Sequence, residues 1–170
     1  VWGTSDVIRE IGSEHLAVWA DEGWLHELPG ALIDMVEVEA VLREMVARVM
    51  PGEVAYDPLY MLQMAQRIEA DGGVVMVEQR QNTMSLDPPL RTLQGLIAEG
   101  RVRHRGSPLM DWMVSNARAK PAGEFLKLFK QSPMMKIDGV QAVLTGMARM
   151  EAPEDRAAGP TPWDADPDFR

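Results

Sequence analysis

The sequence predicts an α/β fold in which helices pack on a sheet. Helical and strand segments alternate along the chain with short connections between them. One strand segment, Val74–Val77, is a continuous apolar run, which is typical of a parallel strand buried on both faces. The chain has 170 residues, enough for roughly one domain with a single core.

The first third of the chain is predicted to be mainly helical. Apolar residues that recur on one helical face predict a helix over residues 5–22, which Gly23 ends. A second helix is predicted to begin at Asp34, because Asp34 and Glu37 have the spacing of a capping box. Its apolar face continues to Val49.

The middle of the chain contains the predicted strands. Glu53–Tyr56 is a short strand, and Asp57-Pro58 turns it directly into a helix over residues 59–70. The apolar run described above supplies the next strand. A further helix is predicted to open at Pro88-Pro89 and to stop near residue 100.

The last third is predicted to be less regular. Residues 101–105 fit an edge strand or an extended loop, and residues 109–116 fit a short helix or a turn. Residues 117–135 are predicted to be irregular, and a final helix runs from residue 139 to residue 150. We therefore expect one domain over residues 1–150. The tail of residues 151–170 contains four prolines and six acidic residues, a composition that predicts disorder.

The charge is distributed unevenly. In total, 17 Lys and Arg oppose 26 Asp and Glu, and a net charge of −9 argues against a generally basic nucleic-acid binder. Residues 1–100 carry a net charge of −11 and residues 137–170 of −4, whereas residues 101–136 carry +6. We call residues 101–136 the basic block. It predicts a surface that faces anions such as phosphates, with ordinary solvated loops as the alternative.

Several function classes are excluded by what the sequence lacks. It has no cysteine, which excludes disulfides, zinc ribbons and thiol nucleophiles. It has no Gly-x-x-x-x-Gly-Lys-Ser/Thr, Gly-x-Gly-x-x-Gly or Gly-x-Ser-x-Gly motif, so ATP hydrolysis, dinucleotide binding and an α/β-hydrolase elbow are unsupported. It also has no signal-peptide pattern and no run of about 18 apolar residues that could span a membrane.

Two aspartates stand at positions where a metal site could form. Asp57 follows a predicted strand, and Asp138 opens the final helix. Carboxylates that converge at the ends of strands can hold a pair of Mg²⁺ or Mn²⁺ ions, which activate water for phosphodiester hydrolysis. Helix capping is the alternative for both residues: Asp57 precedes Pro58, and Asp138 with Gln141 has capping-box spacing.

A set of short motifs occurs in a fixed order over residues 15–150. The motifs are Trp19, Glu22-Gly23, Leu25, Pro29-Gly30, Ile33-Asp34, Ala55-Tyr56-Asp57-Pro58, Gln79, Met84-Ser85, Gly100-Arg101, Arg103-His104, Pro108, Trp112, Ser115-Asn116 and Lys136-Ile137-Asp138-Gly139. Each motif is weak alone. The ordered set resembles the C-terminal nuclease domain of the large terminase subunit of tailed bacteriophages.

The resemblance implies an RNase H-like layered fold, with helices packed on a mixed sheet. It also implies a metal-dependent endonuclease that cuts concatemeric double-stranded DNA with metal-activated water. By motif match, Asp57 and Asp138 are the catalytic residues and metal ligands, and the cofactor is Mg²⁺ or Mn²⁺ in a two-metal site. In the basic block, we expect DNA contacts from Arg101, Arg103, His104, Arg105, Lys120 and Lys136. A solvated histidine is the alternative for His104.

The same resemblance suggests partners and a location. The expected partners are double-stranded DNA, the portal protein and the small terminase subunit, with further copies of the chain on the portal and no membrane. The expected location is the cytoplasm of the host cell.

The sequence also departs from the family pattern. The family's first metal-binding acid lies on the first strand, and no residue here matches it. We therefore expect a domain that is N-terminally incomplete, lacking the first strands and the ATPase domain. One alternative is a catalytically incomplete docking or DNA-binding module of the packaging motor. Another is a different RNase H-like nuclease, such as a resolvase or integrase.

Overall fold

The computed structural model describes residues 1–150, which form six short strands and seven helices. The strands are β1 (Trp2–Thr4), β2 (His26–Leu28), β3 (Glu53–Tyr56), β4 (Val75–Glu78), β5 (Ala117–Ala122) and β6 (Phe125–Lys130). The helices are α1 (Ser5–Ile11), α2 (Glu14–Asp21), α3 (Met35–Val49), α4 (Pro58–Ala70), α5 (Thr83–Ala98), α6 (Pro108–Asn116) and α7 (Asp138–Met150). The predicted tail of residues 151–170 lies outside the described residues.

The strands pair two by two. β1 pairs with β2 and β3 pairs with β4, both in parallel, and each pair is connected through helices. β5 and β6 form an antiparallel hairpin. The predicted α/β architecture is confirmed. The predicted parallel strand at Val74–Val77 is present as β4, shifted by one residue, but it is not buried on both faces, because Val75 is 55% exposed. Among the helices of residues 1–150, none combines the length and apolar character that crossing a bilayer requires.

The predicted single helix over residues 5–22 is wrong. The chain forms two helices there, because Gly12 adopts a left-handed φ of +66° and ends α1. Glycine is suited to that position because it has no side chain to clash. The side chain of Thr4 caps the start of α1 by accepting a hydrogen bond from the Val7 N–H.

The predicted start of the helix at Pro88-Pro89 is also wrong. α5 begins five residues earlier, because the Asn82 side chain caps it by accepting a hydrogen bond from the Ser85 N–H at 2.8 Å. Both prolines lie inside α5, where they supply no backbone N–H to the helix. Asn82 is a favourable N-cap residue, so it indicates the start of the helix independently of the prolines.

The prediction that residues 117–135 are irregular is wrong as well. They contain the β5–β6 hairpin, whose turn uses Gly123 at a left-handed φ of +65°. Pro121 is tolerated in β5 because the hairpin has only two strands, so both are edge strands. Residues 101–107 form no regular element, which leaves the extended-loop alternative for residues 101–105. Residues 109–116 form a helix, as one alternative predicted.

Two hydrophobic clusters hold the described chain together. The larger one joins α2, α5, α6 and α7 and includes Leu109, Met113 and Leu144, which are almost completely buried. The smaller one packs α4 against β3 and β4 around Met64 and Ile68. The ion pair between Arg149 of α7 and Glu53 of β3 links the two regions at 2.9 Å.

Glu39 of α3 provides a pH-dependent link between two helices. Its carboxylate accepts hydrogen bonds from Arg67 of α4 at 2.6 Å and from Arg43 at 2.8 Å, and its side chain is only 14% exposed. The guanidinium groups of Arg67 and then Arg43 hold the pKa of Glu39 below its ordinary value of 4.5. A group with a lowered folded-state pKa stabilises the fold above its unfolded-state pKa and loses that effect as the pH falls through its folded-state pKa.

We therefore expect Glu39→Gln to lower the midpoint of thermal unfolding at pH 7. The difference from the unsubstituted chain should shrink as the pH falls below 4.5, because the carboxylate then becomes protonated. Thermal denaturation followed by circular dichroism over this pH range checks the prediction. Glu44→Gln, at an exposed position of the same helix, is the control and should change the midpoint little. A midpoint difference for Glu39→Gln that does not depend on pH would contradict the account.

Candidate active site and nucleic-acid interface

Asp57 lies at the junction between β3 and α4. It has an extended backbone, and its Oδ1 accepts a hydrogen bond from the Leu59 N–H at 3.1 Å. Pro58 follows as the first helical residue, where its missing N–H costs nothing. Asp57 is therefore an N-cap, as the capping alternative predicted. Its second carboxylate oxygen has no hydrogen-bond partner among residues 1–150, so capping still allows this group to bind a ligand.

Asp138 has different surroundings. It is the first residue of α7, and the Gln141 N–H bonds to the carbonyl of Ile137 rather than to the Asp138 side chain. The predicted capping box of Asp138 and Gln141 is therefore wrong. Within residues 1–150 the exposed carboxylate of Asp138 accepts no hydrogen bond and forms no ion pair, so the fold leaves it available to a ligand.

The start of α7 is held by contacts to α6. The buried Asn116, only 8% exposed, donates a hydrogen bond from Nδ2 to the carbonyl of Lys136 at 3.2 Å. The Gly139 N–H donates to the sulfur of Met113 at 3.2 Å. A Cβ atom at position 139 would lie 2.9 Å from the sulfurs of Met110 and Met113, closer than such contacts occur. Glycine at 139 thus permits the close approach of the two helices that fixes the position of Asp138.

Asp138 and Lys136 line a cavity of about 320 Å³ next to β1. Other lining residues are Thr4 and Trp112, so the cavity combines an apolar wall with charged groups. Asp57 does not line this cavity. The structure therefore brings Lys136 and Asp138 together, but no described contact joins them to Asp57.

Carboxylate oxygens are the ligands that Mg²⁺ and Mn²⁺ prefer, so the two aspartates fit these ions in donor type. Two aspartates are too few, however, to supply the ligands that these ions require. In residues 1–150, no three Asp, Glu, His or Cys side chains come close enough together to hold a metal ion. The described residues therefore do not form a complete metal site by themselves.

The basic block presents its cations on a loop and on the hairpin. Residues 101–106 are exposed, and Arg101 pairs with Glu99 at 3.0 Å. His104 accepts the Gly106 N–H at Nδ1, and its Nε2 lies 3.9 Å from the Asp111 carboxylate. The Lys120 ammonium lies over the Phe129 ring, 4.7 Å from its centroid. Arg103 and Arg105 lie on the same exposed loop. The six DNA-contact assignments stay predictions.

Asn116 belongs to one of the matched motifs but is not among the predicted site residues. We expect Asn116→Ala to lower the free energy of unfolding by about 1–3 kcal/mol, because it leaves the Lys136 carbonyl unsatisfied. Hydrogen exchange should become faster at residues 136–139. Denaturant unfolding and mass-spectrometric exchange measure the two effects. Ser115→Ala, at the exposed neighbouring position, is the control, and equal exchange at residues 136–139 in both variants would contradict the assigned role.

Comparisons with known proteins place the chain in a family. The family described as "Terminase large subunit, endonuclease domain" matches residues 3–154. The chain is 32% identical over 128 residues to the large terminase subunit of Enterobacteria phage HK97, covering 74% of this chain and 25% of that protein. It is 27% identical over 142 residues to Protein YmfN of Escherichia coli K12, covering 81% of this chain and 30% of that protein.

A solved structure matches as well. The crystal structure of the HK97 bacteriophage large terminase superposes on this chain with a TM-score of 0.75 and 28% sequence identity. The match covers 87% of this chain and 32% of that one, so the chain spans about a third or less of the length of these relatives. The RNase H-like layered fold that the resemblance implied is confirmed. The chain belongs to the family of terminase large subunit endonuclease domains.

Proposed function

We propose that this domain cuts double-stranded DNA by hydrolysing phosphodiester bonds, as the nuclease of a DNA-packaging terminase. The observation that supports this most directly is the state of Asp138. Its carboxylate is exposed, has no hydrogen-bond partner in residues 1–150, and lies with Lys136 at a cavity. The family to which the chain belongs supplies the reaction class.

Divalent Mg²⁺ or Mn²⁺ ions would supply an activated water and stabilise the leaving oxygen. In this proposal Asp57 and Asp138 would be two of their ligands, and a complete site would need further ligands from outside residues 1–150, because that range lacks a group of three. Asp57 keeps one carboxylate oxygen for this role while the other caps α4. Lys136, which lines the same cavity as Asp138, would contact a phosphate of the strand being cut.

Membership of the terminase family supports a proposal for the biological setting. We propose that the substrate is concatemeric DNA in the cytoplasm of the host cell. The proposed partners are the portal protein, the small terminase subunit and further copies of the large subunit.

Nicking of supercoiled plasmid tests the proposed activity. We expect the full-length product of the gene that encodes this chain to nick DNA in Mg²⁺ or Mn²⁺ and not in EDTA. Asp57→Ala and Asp138→Ala should each remove the activity. Cleavage that survives both substitutions would refute the assignment.

DNA binding should depend strongly on salt if the basic block contacts phosphates. We expect the affinity for duplex DNA to fall steeply between about 50 and 200 mM salt, since each phosphate contact releases counterions. Arg103→Ala with Arg105→Ala should reduce the slope of log affinity against log salt by about 2. Fluorescence anisotropy measures this slope, and Arg48→Ala, which removes one exposed cation of α3 outside the basic block, should leave the slope unchanged. A flat salt response would contradict the use of the basic block in DNA binding.

A second candidate is a docking or DNA-binding module that does not cut. The observation that favours it is the absence, within residues 1–150, of three metal-binding side chains close together. The two functions differ in plasmid cleavage, because DNA binding in EDTA is expected of both. Binding to DNA or to the portal protein should persist in EDTA for a docking module, and plasmid cleavage in Mn²⁺ should be absent.

A further inference from the structure

The β5–β6 hairpin has two faces of different chemistry. Residues directly opposite each other in an antiparallel pair point to the same face. Leu126 and Leu128 lie on the inner face and pack against the larger hydrophobic cluster. The other face, which we call the outer face, carries three cations and two aromatic side chains. These are Arg118, Lys120, Phe125, Lys127 and Phe129.

The cations of the outer face have no acidic partners. Arg118, Lys120 and Lys127 are exposed, and none of them forms a salt bridge within residues 1–150. Lys120 and Lys127 lie directly opposite each other in the register. Like charges in that position destabilise a strand pair, so folding alone does not favour this arrangement. An anion bound to this face would relieve the repulsion.

The two phenylalanines are also unusual. Phe125 and Phe129 are only partly buried, and neither belongs to the two hydrophobic clusters of the described chain. The Lys120 ammonium lies over one face of the Phe129 ring, 4.7 Å from its centroid, so a base that stacks on that face takes the place of this lysine. Proteins that bind single-stranded nucleic acid combine aromatic rings with cations. The unpaired bases stack on the rings, and the phosphates contact the cations.

The hairpin is held in place by α5. The Leu126 N–H donates to Asp87 Oδ1 at 2.6 Å, and Arg91 donates to the carbonyl of Glu124 at 3.3 Å. These two bonds fix both the second strand and the turn. These contacts with α5 therefore hold the outer face of the hairpin in a fixed position.

We propose that the outer face of the β5–β6 hairpin binds unpaired nucleotides of DNA. Arg118, Lys120 and Lys127 contact the phosphates, and Phe125 and Phe129 stack on the bases. This inference deepens the proposed function and rests on it, because it takes DNA as the ligand. It adds a preference for single-stranded segments, such as the overhang of a DNA end.

Fluorescence anisotropy in EDTA tests this preference with the full chain. The probes are a labelled 12-nucleotide thymidine oligomer and a labelled 12-base-pair blunt duplex. We expect variants of the outer face to weaken binding of the oligomer more than binding of the duplex, because the proposed duplex contacts also involve other parts of the basic block. Phe129→Leu and Lys127→Ala should each weaken binding of the oligomer by about fivefold or more. Arg48→Ala is the charge-matched control and should bind like the unsubstituted chain.

Several results would overturn the proposal. These are an equal loss of duplex and oligomer binding in Phe129→Leu, or unchanged binding of the oligomer in that variant. A third is that polyglutamate of the same length displaces the labelled oligomer as effectively as the unlabelled oligomer does. Circular dichroism shows whether each variant is folded, and the double variant Phe125→Leu with Lys120→Gln repeats the test if one variant unfolds. EDTA prevents cleavage, so failure of the proposed nuclease leaves this result intact. Conversely, the protein could cleave plasmid DNA while the variants bind the oligomer as tightly as the unsubstituted chain. That result would overturn the proposed hairpin site and leave the proposed nuclease function standing.

Discussion

Replacing Asp57 with serine is expected to reduce DNA cleavage by at least about 100-fold while leaving the fold stable. Serine caps helices about as well as aspartate, so α4 should keep its N-cap, and the free energy of unfolding should change by about 1 kcal/mol or less. Serine cannot replace the second carboxylate oxygen, which has no partner in residues 1–150. Removing a group that only hydrogen-bonds to a metal ligand lowers metal affinity or activity by about 10- to 100-fold. Loss of a ligand itself should lower the activity by at least as much.

Asp34 provides a matched control for this substitution. Its side chain caps α3 in the same way, accepting a hydrogen bond from the Val36 N–H at 2.8 Å. Asp34→Ser should therefore affect stability as Asp57→Ser does and leave cleavage unchanged. Plasmid nicking rates and thermal denaturation of the two variants give the comparison. If Asp57→Ser cleaves DNA normally, Asp57 is a helix cap and nothing more.

The largest effect on stability is expected at Asp87. Its side chain is 13% exposed, pairs with Arg91 at 2.9 Å and accepts the Leu126 N–H at 2.6 Å. Asp87→Ala removes a charge-assisted bond and leaves a backbone donor in a partly buried place without its acceptor. We expect the free energy of unfolding to fall by about 2–3 kcal/mol.

Hydrogen exchange distinguishes a local effect of Asp87→Ala from general destabilisation. Exchange should become faster first at residues 117–130, because Asp87 connects the hairpin to α5. Asp87→Asn keeps an acceptor oxygen and should lose less stability. Asp111→Ala removes an exposed aspartate and should change little. Unchanged protection of the hairpin in Asp87→Ala would show that Asp87 does not hold it.

The elements that sequence alone predicted well have local signals. The start of α3 at Asp34 and the junction at Asp57-Pro58 were predictable because an N-cap acts within its own helix. The β5–β6 hairpin had no such signal, since Pro121 and several lysines disfavour a strand. Its stability comes from contacts with α5 that are distant in sequence.

In the candidate site, too, features with a local sequence signal were predictable and contacts between residues distant in sequence were not. Asp57 and Asp138 were predicted because short motifs carry them, whatever their tertiary surroundings. The hydrogen bond from Asn116 to Lys136 and the packing of Gly139 against Met113 join residues that are 20 and 26 positions apart. No periodicity or cap signal reports contacts of that kind. The structure was therefore required to show what positions Asp138.

If Asp57 and Asp138 act in one metal site, as we propose, their substitutions should not have independent effects, and a comparison with the double variant measures this. Nicking rates are measured in Mn²⁺ for Asp57→Ser, Asp138→Asn and the double variant of the full-length gene product. Residues that act as a unit have strongly non-additive effects. We predict that the double variant cleaves no more slowly than the slower single variant. Losses that multiply in the double variant, or cleavage in it at close to the rate of the unsubstituted protein, would contradict the claim.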